Sequence, residues 1–400
     1  MIRRKHQVAL ALTAVLAAAA ACQNQERGAP DAGRQAPVAT RGFTLVASGG
    51  IVPHATVADR AGFDANGNGN GNGSGDGSGD DGTNGDGGSP GSGYDFGPML
   101  AAVQPAVSDA DLALCRLDPV PGDDTGPAAA SLPQLARALA ATGYDSCATA
   151  AADALVDPSG VPRTLNALDG AGLRHAGTAR TQAEAGTTPL LQAGPAKVAH
   201  LSYTYDPGQR AGDSPEWTVA ALNEQRVIAG ARAARKAGAD VVVLSLDWGD
   251  GWQDAPNDAV TALAGRLTAS KTGGRPDIDL ILGSDGHLPQ AYGKVNGVWV
   301  VYGTGDQIGP GTTGAQGVRD WRGGESTTAR FTFAPPARPG GRWEIRRAEF
   351  LPQFYDQDSG RLLDVNAAIA QGADLTGVRD RIKDAALGGG GAKTGLTMAP

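Results

Sequence analysis

The sequence predicts an α/β layered domain with a β-rich finish, and three observations carry that expectation. Short β-branched runs, VVVLSL at 241–246, DLILG at 279–283 and VWVVYG at 298–303, do not alternate apolar with polar residues, which implies strands covered on both faces. Helical patterns separate such runs, the order expected of a layered α/β sheet. Toward the C-terminus TARFTFAP and RWEIRRAEFLPQFY do alternate, in the manner of an antiparallel pair.

The elements follow in order. A strand over 43–48 precedes a helix over 99–106, a strand over 111–115, a helix over 132–141 and a strand over 144–149. Pro162 is placed to open a helix over 163–171, where its missing N–H falls among groups a helix leaves unpaired anyway. A strand over 197–203 and a long helix ending at Ala237 lead into the three β-branched runs, and after the antiparallel pair a last helix is expected over 376–387. With 60 Gly in 400 residues and aromatic side chains at 5%, the core has to be built from small residues with few bulky anchors.

The flanks read differently. Met1-Ile2-Arg3-Arg4-Lys5, a short apolar run and the small residues up to Ala21 form a secretory signal over 1–21, too short to span a bilayer comfortably. Cys22 directly after Ala19-Ala20-Ala21 looks like a bacterial lipoprotein processing site, although Ala19 stands where such signals usually carry Leu. Cys22 is therefore the expected lipidation site, placing the protein outside the cytoplasmic membrane and anchored on its outer face; ordinary secretion with cleavage near the same alanines is the alternative. Residues 22–41 form a polar tether. A main domain is expected over 42–355, interrupted at 66–93 by an Asn/Gly/Ser/Asp tract with too few apolar side chains to offset its ordering entropy, and 356–400 form a C-terminal helical segment and tail.

Composition excludes several functions. The net charge is −8 and no Lys/Arg cluster occurs beyond the N-terminus, so nothing would neutralise a run of phosphates and nucleic-acid binding is not expected. Three Cys and five His argue against a zinc-finger array or a disulfide scaffold. No G-x-S-x-G elbow follows a strand, and the Gly-rich tract lacks the Lys-Ser/Thr ending of a phosphate loop. Cys115 and Cys147 lie in strand-like runs and are read as separate buried thiols, with a bridge geometrically open only if the two strands are neighbours.

In such sheets chemistry gathers beyond the carboxyl ends of the strands. Those ends read Ser48-Gly49-Gly50, Arg116-Leu117-Asp118, Ala150-Ala151-Ala152-Asp153, Asp247-Trp248-Gly249-Asp250 and Gly283-Ser284-Asp285-Gly286-His287. Together with ATAAADALVD, SLDWGDGW, GSDGHLPQ and VVYGTGDQI, they resemble the CapA family of poly-γ-glutamate capsule synthesis proteins, within the calcineurin-like metallophosphoesterases. The resemblance runs from about 42 to 355 and implies a four-layer β-sandwich flanked by helices.

It also implies a metal site that this chain has mostly replaced. Members usually carry Gly-Asp after the first strand, where Gly50 now holds the second position. They carry Glu at the place of Asp118, Asn-His at Ala152-Asp153, His-Trp-Gly at Asp247-Trp248-Gly249 and Gly-x-His-x-His at Gly283 to His287. Gly50 and Ala152 are thus lost ligands, and Asp118, Asp153, Asp247, Asp285 and His287 are the candidates left. A dinuclear phosphoesterase needs a bridging carboxylate and several imidazoles, so the catalytic residues are unassigned and a decayed site without a metal is one reading. The other is an oxygen-rich pocket for Mg²⁺, Mn²⁺ or Ca²⁺ serving an active hydrolase.

Other positions are placed more simply. His54, Trp248 and Asp306 are expected at a substrate rim, with loop hydrogen bonding or aromatic packing as the alternatives, while His175 and His200 read as structural residues. The expected partners are the membrane, through Cys22, and an anionic cell-envelope polymer. An acidic cleft repels such a chain unless a cation intervenes.

Overall fold

A computed structural model describes residues 41–67, 93–205, 212, 214–284, 286–310, 320–338 and 340–400. The chain opens with β1 (Phe43–Ile51), α1 (Ala55–Gly67), β2 (Leu112–Leu117), α2 (Pro127–Thr142) and β3 (Ser146–Ala148). It continues through α3 (Ala152–Val156), α4 (Val161–Gly170), β4 (Arg174–Ala176), β5 (Leu190–Ala193) and β6 (Ala196–Thr204). Then come α5 (Glu224–Lys236), β7 (Val241–Asp247), α6 (Asp258–Ala269), β8 (Leu280–Ser284), β9 (Tyr292–Val295) and β10 (Val298–Val301). The last part holds β11 (Asp306–Ile308), β12 (Glu325–Ala334), β13 (Glu344–Asp356), β14 (Arg361–Asp364), α7 (Thr376–Gly388) and β15 (Leu396–Met398).

Two sheets result. The larger is ordered β14-β13-β12-β1-β2-β3-β4, with β11 beside β1 and β15 beside β13; the smaller is ordered β9-β10-β8-β7-β6-β5. Their facing sides share one apolar core, with Phe43, Leu45, Leu114 and Phe331 from the first meeting Val198, Val241, Val243 and Leu280 from the second. A second core seals the outside of the larger sheet with α1, α2 and α4 through Val57, Leu132, Leu135 and Leu165. A third seals the smaller sheet with α5 and α6 through Val227, Ala231, Ala264 and Leu267. The architecture is the expected helix-sheet-sheet-helix sandwich, and it explains why the β-branched runs do not alternate: both faces of β7 and β8 are buried.

Local chemistry sets the helix ends. Pro127 opens α2 and Gly143, at φ +111°, closes it in the left-handed conformation that glycine adopts without strain. Asn223 and Asn257 cap α5 and α6 by accepting from the backbone N–H of Arg226 and Val260. The expected helix over 99–106 is instead two short helices, Gly97–Leu100 and Gln104–Ser108, because Pro105 has no N–H to continue the first. Helix α1 reaches Gly67 at the start of the Asn/Gly tract, whose residues 68–92 lie outside the described part, as do 1–40 with Cys22. Among the described residues no helix is long and apolar enough to cross a membrane.

The expectation of separate thiols is overturned. Strands β2 and β3 are parallel neighbours with Cys115 opposite Cys147, their Cα atoms 4.4 Å apart, and the two sulfurs form a disulfide. Sequence alone could not supply that register.

Candidate charged centre at the carboxyl edge of the sheets

Strand registry builds the centre. Gly50 of β1 pairs with Arg116 on β2 and with Asp306 on β11, both parallel to it, so the side chains at 116 and 306 leave the sheet beside the bare Cα of Gly50. A Cβ at Gly50 would stand 2.7 Å from Asp306 Oδ1 and 3.1 Å from Arg116 Nη1. The position is glycine because two polar side chains converge over it.

Arg116 is 8% exposed. Its Nη2 donates to Asp247 Oδ1 at 2.6 Å and lies 2.9 Å from Asp118 Oδ1. Asp247 ends β7, so this pair ties one sheet to the other across 131 residues of sequence. The second oxygen of Asp247 accepts from the Thr204 hydroxyl at 2.7 Å and from the backbone N–H of Ala152 at 3.0 Å. Thr204 ends β6 opposite Asp247, and Ala152 opens α3, so three strand or helix ends converge on one buried carboxylate.

Asp118 follows β2 directly and keeps 24% of its side chain exposed. Its contact with Arg116 is an ion pair without hydrogen-bond direction, since Oδ1 accepts no hydrogen bond. Burial pushes its carboxyl up to about 7; Arg116 opposes that rise, and the charges of Asp247, Asp306 and Asp153 add to it. On the other flank His287 follows β8 with φ +54°, and its Nδ1 is hydrogen-bonded to Asp306 Oδ2 at 2.8 Å. Trp252, at φ +67°, stacks on that imidazole with centroids 5.0 Å apart.

The structure therefore brings Asp118, Asp247 and His287 together, with Asp153 exposed at the start of α3 and close enough to act electrostatically on Asp118. Asp285 lies outside the described residues. Ala152 contributes its backbone N–H, and Gly50 its lack of a side chain. Asp306, expected at a rim, is 5% exposed and belongs to the centre itself. Trp248 is not at a rim: it is 2% exposed, with its indole N–H on the Tyr302 carbonyl at 3.1 Å. His54 is exposed at the entry to α1, its Nδ1 accepting from the N–H of Thr56. His200 is buried between Ser146 and Ser245, and burial pushes its imidazole down to about 4. His175 lies beside Asp169 and Glu184, its imidazole pushed down by burial against the pull of those carboxylates.

Arg116 and Thr204 were not candidates from sequence. A search for ligand atoms passes over a guanidinium, which cannot ligate a metal, and a threonine inside an apolar strand carries no signal. A cavity of about 680 Å³, lined by Val46, Ala106, Arg330, Leu351 and Ala367 among others, contains none of these residues. Its charged side chains are limited to Asp109, Arg330 and Asp364, so the charged edge, with Arg116, Asp118, Asp247 and Asp306, is the better candidate.

A dinuclear centre would need a bridging carboxylate at position 50 and several neutral nitrogen ligands. Gly50 offers no bridge, and the space over it holds a guanidinium. Among the described residues no three His, Cys, Asp or Glu side chains are grouped to hold an ion. The described residues do not fit a pair of divalent metals.

The sequence matches the family model of the bacterial capsule synthesis protein PGA_cap over residues 44–310. No curated protein matches it significantly. Among solved structures it is similar to the NAD nucleotidase of Haemophilus influenzae at 11% identity and TM-score 0.42, covering 90% of this chain and 57% of that one. It is also similar to a calcineurin-like phosphoesterase of Bacillus subtilis, at 14% identity and TM-score 0.45, covering 86% of this chain and 100% of the other. A 5′-nucleotidase precursor of Thermus thermophilus is similar at 13% identity and TM-score 0.39, covering 85% of this chain and 59% of that one.

Proposed function

The chain belongs to the PGA_cap family of bacterial capsule synthesis proteins, and from that premise we propose that it handles a cell-envelope polymer outside the cytoplasmic membrane without turning over phosphate esters. The observation that carries the second half is Arg116, whose guanidinium stands between Asp118 and Asp247 and beside Gly50, where a metal-dependent hydrolase would need ligands and an open coordination position.

The extracytoplasmic half has separate support. The secretory signal read over 1–21 leaves Cys22 as an acylation site, and the Cys115–Cys147 disulfide suits an oxidising compartment. The polymer is taken as poly-γ-glutamate-like from the family. Asp153 and Asp250, both exposed beyond strand ends, disfavour direct approach of an anionic chain to this edge. Contact with such a chain is therefore placed on another face or through a soluble cation.

The test uses the full-length chain expressed in a bacterium. We expect it in the membrane fraction, released by Cys22→Ser, with no phosphomonoester or phosphodiester turnover above background after Mn²⁺ addition. Turnover that requires Mn²⁺ and disappears in Asp247→Ala would overturn the non-catalytic reading in favour of a rebuilt Asp-rich hydrolase.

A further inference from the structure

We propose that the Arg116 guanidinium is the resident cation of the carboxyl-edge centre, so that the centre is assembled around a fixed protein charge without any metal ion. The inference deepens the non-catalytic reading above and rests on it.

Four observations support it. A single nitrogen, Nη2, lies within 2.9 Å of carboxylates from two places in the fold, Asp118 at the end of β2 and Asp247 at the end of β7 in the opposite sheet. One small positive centre thus joins two sheets, which is what a bridging ion does. The other nitrogen, Nη1, stands 3.1 Å from where a Cβ at Gly50 would be, so the fork fills the space a longer residue at 50 would claim. Three of the oxygens around it are already committed to hydrogen bonds, both of Asp247 to Arg116, Thr204 and the Ala152 N–H, and Asp306 Oδ2 to His287, while Asp118 Oδ1 is held by the Arg116 charge alone. Finally, an arginine does not lose its proton at any pH a protein survives, so an incoming divalent cation would meet a fixed like charge within a few ångströms and would have to displace hydrogen bonds it cannot replace.

The choice of arginine follows from the same geometry. Lysine carries one compact charge on a single nitrogen, whereas the planar fork lets Nη2 serve two carboxylates while Nη1 faces Gly50. Removing the guanidinium leaves Asp118, Asp247 and Asp306 in one neighbourhood without a counter-charge. Such a set relieves its repulsion by taking up protons or a hard cation.

The experiment is a Mn²⁺ titration of the full-length protein, its Arg116→Lys variant and its Arg116→Ala variant, by calorimetry and by the spin-resonance signal of free Mn²⁺, with thermal melts in chelator and in Mn²⁺. The parent and Arg116→Lys are expected to take up no Mn²⁺ in the micromolar range and to melt at the same temperature in chelator and in metal. Arg116→Ala is expected to bind Mn²⁺ at least about tenfold more tightly than the parent and to melt higher in Mn²⁺ than in chelator. One Mn²⁺ per parent chain at micromolar affinity overturns the proposal, and so does a folded Arg116→Ala that binds no more tightly than the parent. If Arg116→Ala does not fold, Arg116→Gln takes its place under the same criteria, and the parent titration decides alone if neither folds. Neither outcome for the variants touches the proposed function above, which stands or falls on localisation and on the parent's phosphoester turnover.

Discussion

Two buried ionic clusters lie in this sandwich with inverted compositions. At the carboxyl edge one guanidinium, Arg116, faces Asp118 and Asp247 with Asp306 beside it. Before β8 one carboxylate, Asp279, faces Arg235 and Arg342, with Arg275 adding its field. The Asp279 cluster has the shorter reach in sequence: Arg235 is 44 residues away and Arg342 63 (342 − 279), and the carboxylate also accepts from the N–H of Val242, so it fastens the start of β7 to α5 and β8. Its arginines reach solvent, with Arg342 30% exposed and Arg235 15%. The Arg116–Asp247 pair spans 131 residues, joins the two large sheets and has side-chain exposures of 10% and 2%. Arg342 of the Asp279 cluster can rehydrate when unpaired, whereas Arg116 and Asp247 at the carboxyl edge have little access to water. Similar ingredients thus make a local clasp in one place and a long-range tie in the other.

Mutation sharpens that contrast. Asp247→Ala strips Arg116, Thr204 and the Ala152 N–H of one acceptor together, and a loss of about 3–5 kcal/mol is expected in urea unfolding; Asp279→Ala should cost about 2 kcal/mol, because its arginines find water. Equal losses would erase the distinction drawn here.

A neutral tie crosses the same gap. His200 on β6 reaches Ser146 in the larger sheet and Ser245 in the smaller. Its folded pKa of about 4 lies below the unfolded value near 6.5, so the unfolded chain takes up a proton first as pH falls. Stability is expected to decline between pH 6.5 and 4 by about 3 kcal/mol and then level off as far as this group is concerned. His200→Asn should flatten that window, which melts across the pH range would reveal.

The smallest effect expected concerns Asp118. Its folded pKa of about 7 lies above the unfolded 3.8, so its contribution is full below pH 3.8 and is lost as pH rises toward 7. Asp118→Asn should therefore stabilise the protein by about 1–2 kcal/mol at pH 8, after allowing for its partial exposure, and change little at pH 4. Destabilisation at pH 8 would show that Arg116 needs this carboxylate more than burial disfavours it.

Much of this was legible beforehand, for identifiable reasons. Runs such as VVVLSL announce a strand buried on both faces, and the strand-end positions led to Asp118, Asp247 and His287 because parallel sheets collect polar groups there. Helices α1 and α6 were not expected: α1 runs into the Asn/Gly tract, and α6 is weakly amphipathic. The disulfide depends on β2 lying beside β3 in a register that puts 115 opposite 147, which no local pattern encodes. Trp248 follows a strand end yet turns inward to the Tyr302 carbonyl. Arg116 was in view as part of a strand-end triplet, and only the structure shows that it points across the sandwich to Asp247.

The bare Cα of Gly50 also constrains history. A carboxylate restored at position 50 would begin 2.7 Å from Asp306 Oδ1 and 3.1 Å from Arg116 Nη1, so it adds a collision and a fourth negative charge while the guanidinium is in place. Any side chain at 50 makes the Asp306 and Arg116 side-chain ends give way. A carboxylate at 50 is thus coupled to what stands at 116 and 306. Comparative sequences should therefore contain chains with Gly50 and no arginine at 116 more often than chains with aspartate at 50 beside Arg116.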